Sequence, residues 1–287
     1  MNTFNDSQMH TLLPNEFPAL LNEIPDPPKK LYIEGSPIKE SGVRIAVVGS
    51  RKYSEYGKRA TESIISGLAN YNVTIVSGCA LGIDSIAHQA ALRHNINTIG
   101  IPGSGLDKSV FYPRSNFFLR DKILEAKGSL LSEFEPNQKA ERWTFPKRNR
   151  IMAGISHAIL VIEAAEKSGT LITARLGLEY DREVMAVPGS IFSETSAGTN
   201  DLIRDGARPI LSAQDIIEEL SLEEKEDLEK ETDNANEYGD ILSNFSEKIS
   251  RDEFIANVGN TEEALIILTK MELKGIIRIQ GDTIYKN

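Results

Sequence analysis

Six short apolar runs recur along this chain, each closed by small or polar residues and followed by a stretch of helical spacing. No other feature limits the fold as tightly. The runs occupy residues 43–48 (VRIAVV), 73–76, 98–101, 129–132, 158–162 (AILVI) and 184–187. Residues 56–71, 83–93, 116–126, 148–155, 170–180, 200–204 and 213–220 read as helices between and after them. A strand that is apolar on both faces needs cover on both faces, and an intervening helix supplies it. The pattern therefore specifies an α/β fold, a Rossmann-like doubly wound and mostly parallel sheet. In such sheets ligands sit outside the carboxyl ends of the strands, where the strand order reverses. Function is to be sought in the loops at those ends.

The flanks differ in character. Residues 1–42 hold six of the twelve prolines and read as an extended lead-in with one helical turn near Phe17 to Asn22. Residues 218–237 carry ten acids and two lysines, so a net −8 of the chain's −10 sits there and the rest carries only −2. That stretch reads as a helix end entering a solvated linker. Beyond it, helices opening near Ile241, Ser250 and Thr261 precede a hairpin turning at Gly281-Asp282. This is the winged-helix order. The expected division is a lead-in at 1–42, a sheet domain at 43–220, an acidic linker at 221–239 and a small winged-helix-like domain at 240–287.

Composition excludes several classes. The chain is 40% hydrophobic and 26% charged, as soluble globular proteins are. No apolar run nears the length of about 20 residues that a membrane span needs, and no signal-peptide pattern opens the chain. Cys79 is the single cysteine, which excludes an internal disulfide and a multi-cysteine metal site. The expected setting is the cytoplasm, with no membrane partner, no metal and no cofactor. The P-loop, zinc-protease and nucleophile-elbow motifs are absent, and no acid–base pair stands out, so a binding protein is expected before an enzyme.

The strand-end loops carry the chemistry. Gly49-Ser50-Arg51-Lys52 pairs a tight turn with hydroxyl and amide donors and a forked permanent cation. It is not a G-x-G-x-x-G turn, so a dinucleotide pyrophosphate site is not supported. Ser77 and Gly78 open a second small-residue loop running to Asp84 and His88, and Gly103-Ser104-Gly105 makes a third. Tyr112-Pro113 and Asn116 read as a turn and cap. The run Phe145-Pro146-Lys147-Arg148-Asn149-Arg150 reads as a short basic loop leading into a helix. Its cations suit successive phosphates, Asn149 suits backbone or sugar, and Phe145 suits a base. Helical spacing puts Lys147 and Arg150 on one face and Arg148 elsewhere, so the three do not share one role. Ser168-Gly169-Thr170 resembles a capping segment as much as a ligand loop.

These runs together resemble the DNA processing protein A (DprA, also called Smf) family. The matching stretches are 45–51, 77–84 with His88, Gly103-Ser-Gly105, Tyr112-Pro113 with Asn116 and Ser132-Glu133. They continue with 145–156, Glu163, Ser168-Gly169-Thr170, 186–189 and 198–207. The resemblance spans roughly residues 14–215 in order. It implies an extended Rossmann-like domain that binds single-stranded DNA, forms a homodimer and loads RecA during natural transformation and homologous recombination. It places Gly49, Ser50 and Arg51 in a phosphate pocket, gives Lys147, Arg148 and Arg150 further backbone contacts, and leaves Phe145 to stack. Many members carry a helical SAM-like domain before the sheet, and residues 1–42 are too few for a full copy.

One enzymatic alternative comes from the same kind of fold, a phosphoribohydrolase of the lysine-decarboxylase-like (LOG) group. That group's P-G-G-x-G-T-x-x-E signature supplies an acid. The nearest segment here, residues 166–173 (EKSGTLIT), has Thr173 in the acid's place. The winged-helix region carries six basic and eight acidic residues over 240–287, and its third helix opens with Glu262 and Glu263. A protein contact or regulatory role suits it better than reading DNA.

Overall fold

The computed structural model describes residues 9–225, 248–258, 260–273 and 277–286. Two compact units divide between residues 224 and 225. The larger is built on a nine-stranded sheet. Its strands are β1 (His10–Leu12), β2 (Leu31–Gly35), β3 (Val43–Val48), β4 (Val73–Ser77), β5 (Asn97–Gly100), β6 (Ser129–Ser132), β7 (Ala158–Val161), β8 (Glu183–Ala186) and β9 (Arg208–Pro209). The spatial order is β1-β2-β6-β5-β4-β3-β7-β8-β9. Pairing from β6 through β9 is parallel, while β1–β2 and β2–β6 are antiparallel.

The helices are α1 (Ala19–Asn22), α2 (Glu55–Gly67), α3 (Ile83–Arg93), α4 (Phe117–Glu125), α5 (Thr144–Ile155), α6 (Thr170–Glu179), α7 (Ala197–Arg204) and α8 (Ala213–Glu219). Alternate residues of the central strands feed separate cores. Ala46 and Val48 of β3, with Ile159 and Val161 of β7, pack on one face, and Ile45, Val47, Ala158 and Leu160 pack on the other. This two-sided burial is why the strands read as near-continuous apolar runs.

The lead-in reading of residues 1–42 is corrected by strands β1 and β2. They add two strands to the sheet beside β6, with Tyr32 opposite Ser132 and Ile33 opposite Leu131. Phe17, Leu21, Ile24, Leu31 and Ile33 are core residues. Prolines 14, 18, 25, 27 and 28 fall between the strands, where an amide hydrogen is dispensable. Arginine side chains cap backbone carbonyls there: Arg182 Nη2 donates to Leu20 O at 2.7 Å and Arg150 Nη1 to Asp26 O. At the other end, Leu222 packs into the core and Tyr71 bridges to Glu224, so the unit runs past the expected boundary at 220.

The chain passes from β3 outward to β6, then returns across β3 to start β7. The strand order therefore reverses between β3 and β7, and the loops leaving those two strands border the crevice.

The smaller unit contains β10 (Lys248–Ser250), α9 (Arg251–Val258), α10 (Thr261–Leu273), β11 (Ile277–Gln280) and β12 (Thr283–Lys286). The expected hairpin is β11–β12, turning at Gly281 with φ 61°. β10, absent from the sequence reading, pairs antiparallel with β12. Ile249, Phe254, Ala264, Leu268, Met271, Ile277 and Ile284 form its core. The helix expected from Ile241 and most of the acidic linker lie outside the described residues.

Candidate functional site

Where the strand order reverses, a cleft of about 540 Å³ opens beyond the carboxyl ends of β3 and β7. Gly49, Ser50, Arg51 and Lys52, between β3 and α2, form one side. Phe145, Pro146, Arg148, Asn149 and Met152 of α5 form a second, and Ser168, Gly169, Thr170 and Thr173 at the start of α6 a third. Ala80, Asp84 and Arg142 complete it. First-turn residues of α3, α5 and α6 therefore meet at one place. Each helix start turns the positive end of its dipole toward the cleft, which favours an anion.

The expected basic loop is instead the beginning of α5, which starts at Thr144 rather than at Arg148. Pro146 stands at the third helical position, where a missing amide hydrogen costs nothing. Thr144 Oγ1 donates to Gly103 O at 2.5 Å, so the third small-residue loop anchors the helix. Helical geometry then disperses the basic run. Arg148 is buried; its Nη1 donates to Ile101 O at 2.8 Å and its Nε to Asn149 Oδ1 at 3.1 Å. The same Nη1 stands 3.9 Å from Asp84 Oδ2. Burial raises the Asp84 carboxyl above its ordinary pKa, with the Arg148 charge opposing, and burial lowers the Arg148 guanidinium.

Lys147 is exposed, lies over the Trp143 ring at 5.3 Å and does not line the cleft. Nor does Arg150, whose Nη2 donates to both oxygens of Glu133 at 2.7 and 2.6 Å.

Arg51 is exposed at the mouth, its guanidinium carbon 5.0 Å from the centre of the Phe145 ring. The ring face holds the cation in position while leaving N–H groups for an anion. Ser50 Oγ donates to Lys52 O at 2.8 Å and accepts from Lys52 N at 3.1 Å, which fixes the turn. Ile83 N donates to Ser50 O at 3.2 Å across the two loops. That approach needs Gly82, which adopts φ 83° and whose missing Cβ would meet Ser50 O and the Arg51 backbone. Thr170 Oγ1 donates to Gly49 O at 3.1 Å and closes the third side. Behind the turn, buried Glu163 accepts from Ser54 N at 2.9 Å and Ser54 Oγ at 2.5 Å, fixing the start of α2.

Ser77 and Gly78 do not reach the main cleft. Ser77 Oγ donates to Val47 O at 2.7 Å, and Gly78 backs the Arg148 guanidinium, where a Cβ would overlap it. Gly103 lies behind the Phe145 ring. Beneath the cleft, Thr98 Oγ1 donates to Ile75 O at 2.9 Å and thus accepts from His88 Nδ1 at 2.7 Å. His88 Nε2 then faces Cys79 Sγ at 3.7 Å. Burial holds His88 down to about 4 and pushes the Cys79 thiol up to about 12, so neither is charged at neutral pH. Sequence reasoning missed Arg142, Met152 and Thr173 as lining residues. Only the segment of Ser168 and Thr170 carried a signal, through its hydroxyls at a helix start.

The described residues hold no cluster of three or more His, Cys, Asp or Glu side chains fit for a metal ion, and no helix long and apolar enough to cross a membrane. The cleft thus offers four cations and three helix starts against a single carboxylate, with an aromatic ring at its edge. That chemistry suits a phosphate diester with its base stacked beside it.

Comparison with known proteins finds relatives over most of the chain. The family model for DNA recombination-mediator protein A matches residues 8–221. DNA processing protein DprA of Streptococcus pneumoniae is 42% identical over 213 residues, covering 73% of each chain. DprA of Bacillus subtilis is 41% identical over 206 residues, 71% of this chain and 68% of that one. Protein Smf of Escherichia coli is 36% identical over 282 residues, 93% of this chain and 75% of that one. Among solved structures, S. pneumoniae DprA aligns with a TM-score of 0.70 at 40% identity, covering 74% of both chains. The Helicobacter pylori protein aligns at 0.66 and 32% identity, covering 75% of this chain and 96% of that one. Its structure was described for that protein's single-stranded DNA binding mode.

Proposed function

This chain belongs to the DNA recombination-mediator protein A family, and from that premise we propose that it binds single-stranded DNA, protects it and loads RecA onto it. The observation that carries the reading is the cleft between the β3 and β7 loops, with Arg51 held over Phe145 and Lys52, Arg142 and Arg148 around it. Phosphate contacts and stacking give affinity that tolerates sequence and weakens with salt. Within this reading Gly49, Ser50, Arg51 and Lys52 hold a phosphate, Phe145 and Asn149 meet base and sugar, and Arg148 supplies charge from below. Gly78 and Gly103 shape the walls, Lys147 serves an adjoining phosphate, and Arg150 positions α5 through Glu133.

The protein works as a cytoplasmic homodimer in natural transformation and recombination. Its smaller unit is a winged helix for protein contact or regulation. The activity is non-enzymatic. The hydrolase alternative finds little support: Asp84 is the single carboxylate lining the cleft, it faces the Arg148 charge at 3.9 Å and accepts from Ala80 N at 3.4 Å, and Thr173 stands where the acid is needed.

RecA loading is tested by RecA-dependent ATP hydrolysis on single strands pre-coated with single-strand-binding protein. Substoichiometric addition of this protein shortens the lag several-fold. An unchanged lag, with strand binding intact, removes loading from the proposal.

A further inference from the structure

Next to the phosphate cleft, and sharing Arg51, Ala80 and Phe145 with it, lies a shallow notch whose other walls are Gly78, Leu81, Tyr112 and Pro113. Tyr112 and Leu81 are 47% and 46% exposed, although both sit beside the buried Gly78. The Tyr112 and Phe145 rings meet edge to face, with centroids 6.1 Å apart and planes at 65°. Arg51 occupies the Phe145 ring at 5.0 Å. One cation is thus shared by the large cleft and the notch, and the two rings form a continuous aromatic step leading out of it.

We propose that Tyr112 and Leu81 form a nucleobase platform, on which the base next to the Arg51-bound phosphate stacks. This deepens the single-stranded DNA reading and rests on it. The notch encloses only about 30 Å³, far less than a base occupies. A base therefore lies across its mouth on the tyrosine ring and the leucine side chain, with its hydrogen-bonding edges in solvent. With those edges in solvent and the Arg51 N–H groups turned to phosphate, the platform takes any base and favours those that stack well. Tyr112 thereby acquires a role beyond that of a turn residue before Pro113. The loop after β5 and the loop after β4 meet at this spot because Asn116 Nδ2 donates to Cys79 O at 2.9 Å and Ala80 O at 3.0 Å. This bond fixes the platform's height relative to Arg51.

The test compares anisotropy titrations of labelled oligo(dT) and of an abasic strand of equal length, using parent, Tyr112→Ala and Tyr112→Phe proteins. The platform predicts that Tyr112→Ala weakens oligo(dT) binding about tenfold and leaves abasic binding unchanged. Tyr112→Phe keeps the parental difference between the two strands. An equal loss on both strands assigns Tyr112 to shaping the phosphate cleft and overturns the platform. Parental oligo(dT) affinity in Tyr112→Ala overturns it too, while leaving the single-stranded DNA reading intact. Failure of the parent to bind either strand removes both.

Discussion

Replacing Arg150 with alanine separates a structural arginine from a DNA-contacting one. Sequence reasoning places Arg150 among the phosphate contacts, yet its guanidinium is committed to both Glu133 oxygens and to Asp26 O. The side chains of Arg150 and Glu133 are 11% and 21% exposed. Breaking a fully buried ion pair costs about 3–5 kcal/mol, because the remaining charge is stranded. Glu133 retains some contact with water, so the expected loss is about 2–4 kcal/mol. With a urea m-value near 2–3 kcal/mol/M, the unfolding midpoint falls by about 1 M. The assay pairs urea unfolding followed by circular dichroism with oligo(dT) anisotropy at a temperature where the variant is folded. Binding should then fall less than threefold. A variant that unfolds with the parental midpoint but has lost oligo(dT) binding would refute the reasoning and return Arg150 to the DNA.

Two further substitutions and a pH series probe other parts of the account. Gly78→Ala places a methyl group on the Arg148 guanidinium, so the arginine leaves Ile101 O; about 1–3 kcal/mol of stability and most strand binding go with it. Gly169→Ala, with nothing within 4 Å of its new methyl group, should unfold at the parental midpoint in the same melts. His88 titrates near 4 when folded and near 6.5 when unfolded. The unfolded state therefore takes up the proton first on acidification, and about 2 kcal/mol is lost between pH 7 and pH 5. Urea midpoints across that range fall less steeply in His88→Gln if this is right, and in parallel with the parent if it is wrong.

The centre of the sheet could be read from the chain because β7 is apolar at every position and β3 at every position but the buried Arg44, a signature of burial on both faces. β1 and β2 could not. Leu31–Gly35 is short, follows a proline cluster and pairs with β6, about a hundred residues away. Local pattern carries no record of such a partner. The Gly49–Lys52 turn was recognisable because a glycine closing an apolar run marks a strand end. The basic run was misjudged for the opposite reason. Its charges look solvated until Asp84, Glu133 and Asp26 arrive from distant segments to pair with them. Arg142 escaped notice because it stands alone before α5, and only the fold turns it toward the cleft.

The measurement that bears most directly on the central claim is the salt dependence of oligo(dT) binding by the parent and by Arg51→Glu. Each phosphate contact on a single strand adds about 0.7 to the slope of log affinity against log salt. Binding by the parent is expected to be salt-sensitive. Arg51→Glu is expected to lose at least tenfold at low salt, with a shallower slope and an unchanged unfolding midpoint. Parental affinity and slope in a folded Arg51→Glu protein would contradict the claim, because the strand would then lie outside the cleft between β3 and β7.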